Sequence, residues 1–304
     1  MLLLDRIMMV TNSDYLKIID ENSFTITMLS NEVVYYKFKQ EYPFYLLIKN
    51  DLDRNELMIE FTGKILLDRY REGINIDNIE YCLNQINQLG FCELDVNLII
   101  QDSIVLKCDV IKEVRFDDIN IIIRCIRQSL KNYKKWIVRE YPHGIVLENN
   151  VKTQNRKKRL VVYDKERELM KASNHNFVKC LGDISCYTGI VRFELNIKTM
   201  KQIRDLLSIE SNMLNVVLSS KANPIFDVID EALIAGVDEV MPASLRDYER
   251  MLLLNECNND LVKVEARVRG FLSKGASIRR YMKPYVELSR LQNDKNVDIR
   301  ELVA

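Results

Sequence analysis

The chain has 304 residues, enough to bury a sizeable core and to form one large domain plus a smaller one. A hydrophobic content of 47% with 29% charged residues is ordinary for a globular protein, and nine glycines with five prolines exclude collagen-like and Pro/Gly-rich disordered classes. No run of about 18 apolar residues occurs, and Asp5 and Arg6 interrupt the apolar first residues, so we expect neither a membrane span nor a signal peptide and predict a cytoplasmic protein.

The formal net charge is zero, but the charges are segregated along the chain. Residues 1–118 contain 21 acidic and 12 basic side chains, whereas residues 124–171 contain 14 basic and 5 acidic side chains. Blocks of this kind predict a basic surface for a polyanion beside an acidic surface. The motif NRKKR, which leads directly into an apolar run, is the densest part of the basic block.

Several familiar kinds of site are excluded. Seven cysteines are an odd number and contain no C-x-x-C pair, so we interpret them as reduced core residues and not as a disulfide framework or zinc site. No phosphate-binding glycine loop and no G-x-S-x-G elbow is present, which argues against a nucleotide-driven enzyme and a serine hydrolase. The two histidines, His143 and His175, exclude a three-histidine metal site, and His175 is expected in an exposed loop.

In chain order, the first half predicts four short strands, two segments with helical spacing, a further strand and a longer helix. The β-rich runs are FTITML (24–29), VVYYKFK (33–39), FYLLIK (44–49) and ELMIEF (56–61). KILLDRY and NIDNIEYCLNQINQLG have helical spacing, and Gly90 ends the second segment. SIVLKCDVIKEVRF then predicts a strand, and DINIIIRCIRQSLKNYKKW predicts a helix capped by Asp117 or Asp118.

The second half predicts three strands and then only helices. HGIVLENN and KRLVVY are expected to be strands joined by a basic loop, DKERELMKAS a helix, GIVRFELNI a strand and TMKQIRDLLSI a helix. Four later segments have helical composition: FDVIDEALIAG, SLRDYERMLLLNE, NDLVKVEARVRGFLSKG and SIRRYMKPYVELSRLQN. The order predicts an α+β fold, an antiparallel sheet with packed helices over residues 1–210, followed by a smaller all-helical region over residues 211–304.

Two carboxylates interrupt apolar strands. Asp109 and Glu194 each lie inside a strand-like run, where an unpaired buried carboxylate is costly unless it is paired or binds a metal. On strands that are neighbours, the two would make a site for a hard divalent cation such as Mg²⁺. Alternatively, each faces solvent from one side of the sheet. His143 is a candidate third ligand, or a plain turn histidine.

Tyr163 closes a predicted strand directly after the basic cluster. A tyrosine phenol has an ordinary pKa of about 10, so it needs a metal or a cation to favour the phenolate before it attacks a phosphate at neutral pH. Lys165 is in position to do this or to neutralise charge on the phosphate. The alternative is a core tyrosine, since the chain contains 14 tyrosines.

A resemblance to a known family is carried by these same segments. RLVVYDKEREL followed by GIVRFELNIKT resembles the filamentous-phage replication initiators related to the gene II protein, the II/X family of phage and plasmid replication proteins. In that family, L-V-x-Y-x-K-x-x-E-L precedes G-[IL]-V-R-F-E-x-x-I-K-T. LKCDVIKE stands at the place of its R-I-D strand, and EFTGKILLDRYREGIN resembles its lysine-bearing segment. The match covers roughly residues 56–207, and the family is regarded as a divergent branch of the HUH-type nickases.

The resemblance implies a rolling-circle replication initiator that nicks one strand at an origin, forms a 5′-phosphotyrosine link, leaves a 3′-OH and later rejoins the strand. It implies Tyr163 as nucleophile with Lys165 and Glu168 as companions, and Glu194 and Asp109 as metal or structural carboxylates. With His143 as the candidate third ligand, the expected metal ligands are Asp109, Glu194 and His143, and the expected ion is Mg²⁺ or Mn²⁺. The implied partners are single-stranded or supercoiled origin DNA and a bacterial host's helicase and polymerase. The expected DNA-binding residues are Lys152, Arg156, Lys157, Lys158, Arg159 and Arg192, the last either on phosphate or bracing the sheet.

Other interpretations remain open from the sequence. A mobilisation relaxase would use the same chemistry at a transfer origin, and a DNA-binding regulator would bind without cleaving. Tyr187 is the second choice of nucleophile. The basic residues of the last helices alternate with acidic ones, which fits a solvated helical bundle as well as it fits a second DNA site. Cys108 stands where the family tends to have isoleucine, so the role of Asp109 is the least defined.

Overall fold

A ten-stranded antiparallel sheet forms the centre of the protein. The computed structural model describes residues 1–29, 32–128, 130–131, 135–233, 242–257, 260–272, 277–293 and 297–304. The strands are β1 (Leu4–Asn12), β2 (Leu16–Ile18), β3 (Thr25–Leu29), β4 (Glu32–Gln40), β5 (Leu46–Asp51), β6 (Glu56–Thr62), β7 (Cys92–Leu94), β8 (Ile104–Arg115), β9 (Trp136–Tyr141), β10 (Gly144–Asn149), β11 (Arg159–Asp164) and β12 (Ile190–Ile197). Together with the helices, the sheet gives an α+β fold, as the sequence predicts.

The helices follow the strands in groups. They are α1 (Ile79–Asn87), α2 (Val96–Asp102), α3 (Ile119–Gln128), α4 (Lys165–Leu169), α5 (His175–Leu181), α6 (Met200–Leu207), α7 (Leu214–Leu218), α8 (Pro224–Ala232), α9 (Leu245–Glu256), α10 (Leu261–Phe271), α11 (Ile278–Asn293) and α12 (Ile299–Val303). In the part of the chain that the structure describes, no helix has both the length and the apolar character needed to cross a membrane.

The strand order is β3-β4-β5-β6-β1-β8-β12-β11-β10-β9, and β2 pairs with β7 in a separate small sheet. β1 and β8 lie side by side at the centre of the large sheet. Each is flanked by the last strand of a four-stranded meander, β3 to β6 on one side and β9 to β12 on the other. The two halves of the sheet therefore have the same connectivity, and the pairing of β8 with β12 brings Asp109 and Glu194 onto neighbouring strands.

The sheet has one apolar and one polar face, because side chains alternate along each strand. On β12, Phe193 and Leu195 are fully buried in the main core, to which helices α1, α3, α6 and α8 contribute apolar side chains. Arg192, Glu194 and Asn196 alternate with them and point to the opposite side, which we call the open face. A 3-10 segment, Gly63–Glu72, and helices α4 and α5 cover one end of the open face through an aromatic cluster formed by Tyr70, Leu169, Phe177 and Tyr187.

Four strands were not predicted from the sequence: β1, β9 and the two strands of the small sheet, β2 and β7. β1 is a central strand, but Asp5 and Arg6 interrupt its alternation and its first residues look like a generic apolar terminus. β9 is an edge strand, and its first residue, Trp136, was predicted as the end of the helix over residues 118–136. Helix α3 extends over Ile119–Gln128, and residues 129 and 132–134 of the predicted helix lie outside the described residues. KILLDRY forms a 3-10 segment in which Leu67 has a φ of 51°.

The main core continues beyond residue 210. Buried side chains of α7, α8 and α12 pack in the same cluster as the sheet, among them Leu214, Val228 and Val303. Helices α9, α10 and α11 instead share a separate small cluster that includes Leu254, Val264 and Met282. The predicted boundary near residue 210 thus lies inside the apolar core, and the segment with a cluster of its own begins at α9.

The cysteines are all unpaired thiols, and five of the seven are buried. Cys180 and Cys186 are exposed, so the prediction of core positions is wrong for these two. Cys180 lies in α5 and Cys186 in the 3-10 turn Ser185–Tyr187, both in the connection between β11 and β12.

Candidate active site

Tyr163 and Glu194 form a hydrogen-bonded pair on the open face. Tyr163 is near the end of β11, and its partner in the register of the adjacent strand β12 is Arg192, so Glu194 lies one diagonal step away on the same face. The phenol Oη of Tyr163 donates to Glu194 Oε2 at 2.9 Å. Both side chains are partly exposed. A phenol and a carboxylate are thus in direct contact at a surface that a substrate can reach.

A cavity of about 490 Å³ opens over this pair. Its wall is formed by the β9–β10 hairpin, the end of β11 and the first turns of the chain after it. The lining residues that matter for chemistry are Tyr163, Glu194, His143, Glu168, Arg159 and Arg167. Of the predicted site residues, the cavity therefore brings together the tyrosine, two carboxylates and the exposed His143.

The phenol of Tyr163 is held in its protonated form. Burial, and then the Glu194 carboxylate, raise the pKa of Tyr163 well above its ordinary value, and the Arg192 guanidinium opposes them only in part. Burial and the charge of Asp5 raise the pKa of Glu194 as well, which makes it a stronger base than an exposed glutamate. The sequence analysis expected a cation to favour a preformed phenolate. The raised pKa of Tyr163 instead favours a neutral phenol whose proton Glu194 removes during attack.

Asn196 connects Glu194 to Asp109. Its Nδ2 donates to Asp109 Oδ1 at 2.9 Å and to Glu194 Oε1 at 3.0 Å, and its Oδ1 accepts a hydrogen bond from Arg159. Burial and the nearby Glu194 raise the pKa of Asp109 to about 7. The two carboxyl groups share one amide donor, and the charge of one disfavours ionisation of the other. An added positive charge would therefore stabilise their ionised forms.

The predicted metal ligands fit a cation only in part. Asp109 and Glu194 supply hard oxygen donors, and Mg²⁺ is often held by one or two carboxylates plus substrate phosphates. His143 is exposed at the turn of the β9–β10 hairpin and lines the Tyr163 cavity, whereas Asp109 lines the adjacent one. Among the residues that the structure describes, no three His, Cys, Asp or Glu side chains form a metal-binding group. The structure thus offers the carboxylate pair, with Oε1 of Glu194 on the side of Asp109, and does not add His143.

Asp109 makes stability depend on pH in a defined direction. Its pKa in the folded chain is about 7, against about 4 when unfolded, so between these values the folded state binds more protons and stability falls as pH rises. In buffer with a chelator, we expect the free energy of unfolding of Asp109→Asn to exceed that of the wild type by about 1–2 kcal/mol at pH 8 and to match it near pH 4. Urea unfolding at both pH values measures this, with exposed Asp53→Asn as control. A difference that is the same at both pH values contradicts the assignment.

Lys165 lies behind Tyr163 and not in the cavity wall. Its Nζ is 5.5 Å from the centroid of the Tyr163 ring and donates to Tyr70 Oη at 2.8 Å and to Glu168 Oε2 at 2.9 Å. Burial and the neighbouring Arg192 lower the pKa of Lys165. Glu168 also accepts from Asn174 Nδ2 at 2.8 Å. The two predicted companions of Tyr163 thus form one ion pair directly after the strand end, with Lys165 buried and Glu168 partly exposed to the cavity.

Arg192 does not reach the surface, so its assignment as a DNA-binding residue is corrected. Its side chain has an exposed fraction of 0%. The guanidinium donates to Asp5 Oδ1 at 2.6 Å, to Tyr70 Oη at 2.9 Å and, through Nε, to Glu113 Oε1 at 2.9 Å. Arg192 therefore braces the sheet, which is the second of the two roles considered for it, by joining β1, β8 and β12 to the 3-10 segment.

The predicted basic cluster is divided into paired and exposed side chains. Lys157 is 2.8 Å from Glu148 Oε1, Arg159 is 3.9 Å from Glu148 Oε2, and Lys158 pairs with Glu231. Lys152 and Arg156 are exposed in the loop between β10 and β11. These two are the members best placed to meet a polyanion.

Tyr187, the second choice of nucleophile, is in the aromatic cluster. Its exposed fraction is 2%, and its ring centroid is 6.2 Å from that of Tyr70. Burial raises the pKa of Tyr187. The phenol is therefore far less accessible to a phosphate than that of Tyr163.

Sequence reasoning missed several residues that shape the site. Gly144 faces Tyr163 across β10 and β11, and a Cβ there would lie 2.7 Å from the Val162 carbonyl oxygen and 3.0 Å from Tyr163 Cβ. Only glycine permits this close approach. Asn196 was detectable, since it follows Glu194 at the two-residue spacing of one strand face. Asp5 and Tyr70 were not, because only the fold brings residues so distant in sequence to Arg192.

Comparisons with protein families, with curated proteins and with solved structures find no match to this chain.

Proposed function

We propose that the protein is a tyrosine nickase that initiates rolling-circle replication, with Tyr163 as the nucleophile. The observation that supports this most directly is the 2.9 Å hydrogen bond from Tyr163 Oη to Glu194 Oε2 on the floor of an accessible cavity. A nucleophile in contact with a base is the minimum requirement of covalent catalysis. The family resemblance of the segments around both residues supplies the substrate, an origin DNA strand, and an HUH-like catalytic domain.

In the forward step, Tyr163 Oη attacks the phosphorus atom of a phosphodiester. Glu194 Oε2 accepts the phenol proton as the Oη–P bond forms, and the bond from phosphorus to the 3′-oxygen breaks. The 3′-oxygen leaves with the electron pair and takes a proton from solvent, so the products are a 5′-phosphotyrosine and a free 3′-OH. A divalent cation bound by Asp109 and Glu194 Oε1 would neutralise charge on the phosphate.

The reverse step follows from the same contacts. Because the phosphotyrosine link keeps the bond energy of the phosphodiester, a 3′-OH can attack it and regenerate the DNA strand. Glu194, protonated in the first step, then returns its proton to Tyr163 Oη.

Glu194→Gln tests the assignment of the base. The amide keeps the shape and can still accept a hydrogen bond, but it cannot take the proton. We expect the nicking rate to fall by about 10²- to 10⁴-fold with DNA affinity unchanged. Single-turnover nicking and filter binding measure the two quantities. Glu93→Gln, on the two-stranded sheet away from the cavity, is the matched control and should retain the wild-type rate. A full rate in Glu194→Gln would exclude this carboxylate as the base.

The proposed activity is tested with supercoiled DNA carrying the intergenic region next to the gene, incubated with Mg²⁺ or Mn²⁺. We expect conversion to the open circular form, with protein bound to the 5′ end of the nick. A regulator that binds DNA without cleaving it would shift the DNA on a gel and leave it supercoiled. That second outcome, with both metals, would reject the nickase.

A further inference from the structure

A second cavity adjoins the one over Tyr163. It also has a volume of about 490 Å³, and its wall shares Arg159 and Glu194 with the first. Arg159 and Glu194 belong to β11 and β12, whereas the new cavity extends across β8 to β1. Its basic lining residues are Arg6, Lys107, Arg159 and Lys198. The two cavities thus form one continuous depression along the open face.

The side chains of the second cavity favour an anion. Lys107 and Lys198 are exposed. Glu60, the carboxylate at the far end, is only 4% exposed and is neutralised by Arg6 at 2.5 Å. Asp109 and Glu194, the two carboxyl groups nearest Tyr163, are only partly exposed, and both accept a hydrogen bond from Asn196 Nδ2. The cations therefore form the accessible rim.

Tyrosine rings continue this surface beyond the cavity. The Arg6 guanidinium, which lines the cavity, lies 5.0 Å from the centroid of the Tyr45 ring, and Lys39 Nζ lies 5.9 Å from it. Lys49 Nζ lies 4.6 Å from the centroid of the Tyr35 ring. Because side chains alternate along a strand, Tyr45 and Lys49, an even number of residues apart at β5, point to the same face. Both rings are partly exposed.

We propose that these residues, the tyrosine track (Arg6, Tyr35, Tyr45, Lys107 and Lys198), bind single-stranded DNA leading away from the phosphate at Tyr163. Cations that follow the backbone, together with aromatic rings on which bases stack, are the recurring elements of single-strand binding. Five strand spacings separate β11 from β5, roughly 24 Å, which accommodates several nucleotides. Duplex DNA hides its base faces, so it does not use the rings.

The inference rests on the proposed function for the choice of DNA as the ligand. It extends the DNA-binding surface to the half of the sheet that is built from the net-acidic residues 1–118. Residues 1–118 carry an excess of acidic side chains, yet they supply four of the five track residues: Arg6 on β1, Tyr35 on β4, Tyr45 directly before β5 and Lys107 on β8.

The test measures binding of a fluorescein-labelled, single-stranded oligonucleotide by anisotropy in a Tyr163→Phe background, where no cleavage occurs. We expect Tyr45→Leu to weaken binding by roughly tenfold, the loss of one stacked base, and Tyr45→Phe to preserve it. The pair Lys107→Gln with Lys198→Gln should reduce the slope of log affinity against log salt by about 1.4. The controls are Lys17→Gln, an exposed lysine of β2, and Tyr81→Leu, whose ring lies under Arg69 at 4.8 Å on helix α1.

The possible results separate the two proposals. The track is overturned if the lysine double variant keeps the affinity and salt dependence of the parent protein and Tyr45→Leu binds the oligonucleotide as tightly as Tyr81→Leu does. This holds even if wild-type protein nicks DNA. Selective loss in the track variants supports the track even if no DNA is ever nicked, and it is then the nickase that fails. The lysine pair is on the surface, so its result does not depend on the folding of the Tyr45 variants.

Discussion

Tyr163→Phe should abolish nicking while the protein still binds DNA. The substitution removes only the Oη atom, and the ring keeps its place beside Gly144 and 5.5 Å from Lys165 Nζ. Without Oη, no nucleophile among the described residues is hydrogen-bonded to Glu194. We therefore expect the single-turnover rate to fall at least ~10³-fold, the size of effect seen when a covalent nucleophile is removed. Nicking of supercoiled DNA and oligonucleotide anisotropy measure the two properties on the same preparation.

The matched control is Tyr187→Phe. It removes a phenol oxygen from a buried tyrosine of the aromatic cluster, and we expect it to nick DNA at a rate close to that of the wild type. If the two variants exchange their behaviour, the nucleophile is Tyr187. If both remain active, the reaction uses neither phenol, and the nucleophile is another side chain or a water molecule.

Arg192→Leu should destabilise the fold by about 3–5 kcal/mol. The guanidinium is fully buried and compensates two carboxylates, Asp5 and Glu113, while it also donates to Tyr70. A leucine fills part of the volume but leaves both carboxylates without their cation in a low-dielectric environment. Urea unfolding at pH 7 measures the loss. An effect below ~1 kcal/mol would mean that water reaches the network and screens it.

The same variant has a predicted dependence on pH. Burial opposes ionisation of Asp5, but Arg192 and then Lys165 hold its pKa below the ordinary value. A depressed carboxyl pKa contributes stability above the unfolded pKa, near 4, and this contribution is lost as pH falls through the folded pKa. The cost of Arg192→Leu should therefore be largest at neutral pH and smaller at pH 3. Arg69→Leu is the control, because its pair with Glu72 is exposed and screened by solvent, so its loss should change stability little at either pH.

Much of the fold was predictable because short-range patterns decide it. β3 to β6, β8, β10, β11 and β12 appear where alternation and β-branched residues predict strands, and each of the four helical segments after residue 223 contains a helix. β1 failed because a central strand carries charges that only distant partners explain: Asp5 meets Arg192, and Arg6 meets Glu60. The continuation of the core past residue 210 was also invisible, since helices that pack on a sheet and helices that pack on each other have the same periodicity.

The candidate site was predictable where one strand carries it. Glu194 is conspicuous as a carboxylate among apolar neighbours, and Asp109 for the same reason, and their strands do pair. The orientation of Arg192 was not predictable, because alternation places it on the open face while the 3-10 segment, with Tyr70, buries it there. The roles of Arg6, Tyr35 and Tyr45 were not predictable from the net charge of residues 1–118, since a net acidic segment can still present cations and rings on one face.

The most direct test of the central claim is to locate the covalent link. Wild-type protein is incubated with origin DNA and Mn²⁺, the DNA is digested with nuclease, and the protein is cleaved with trypsin and examined by mass spectrometry. The account predicts a nucleotide attached to the tryptic peptide of residues 160–165, on Tyr163. Nicked DNA with no nucleotide on any peptide, or a nucleotide on a peptide without Tyr163, would contradict it.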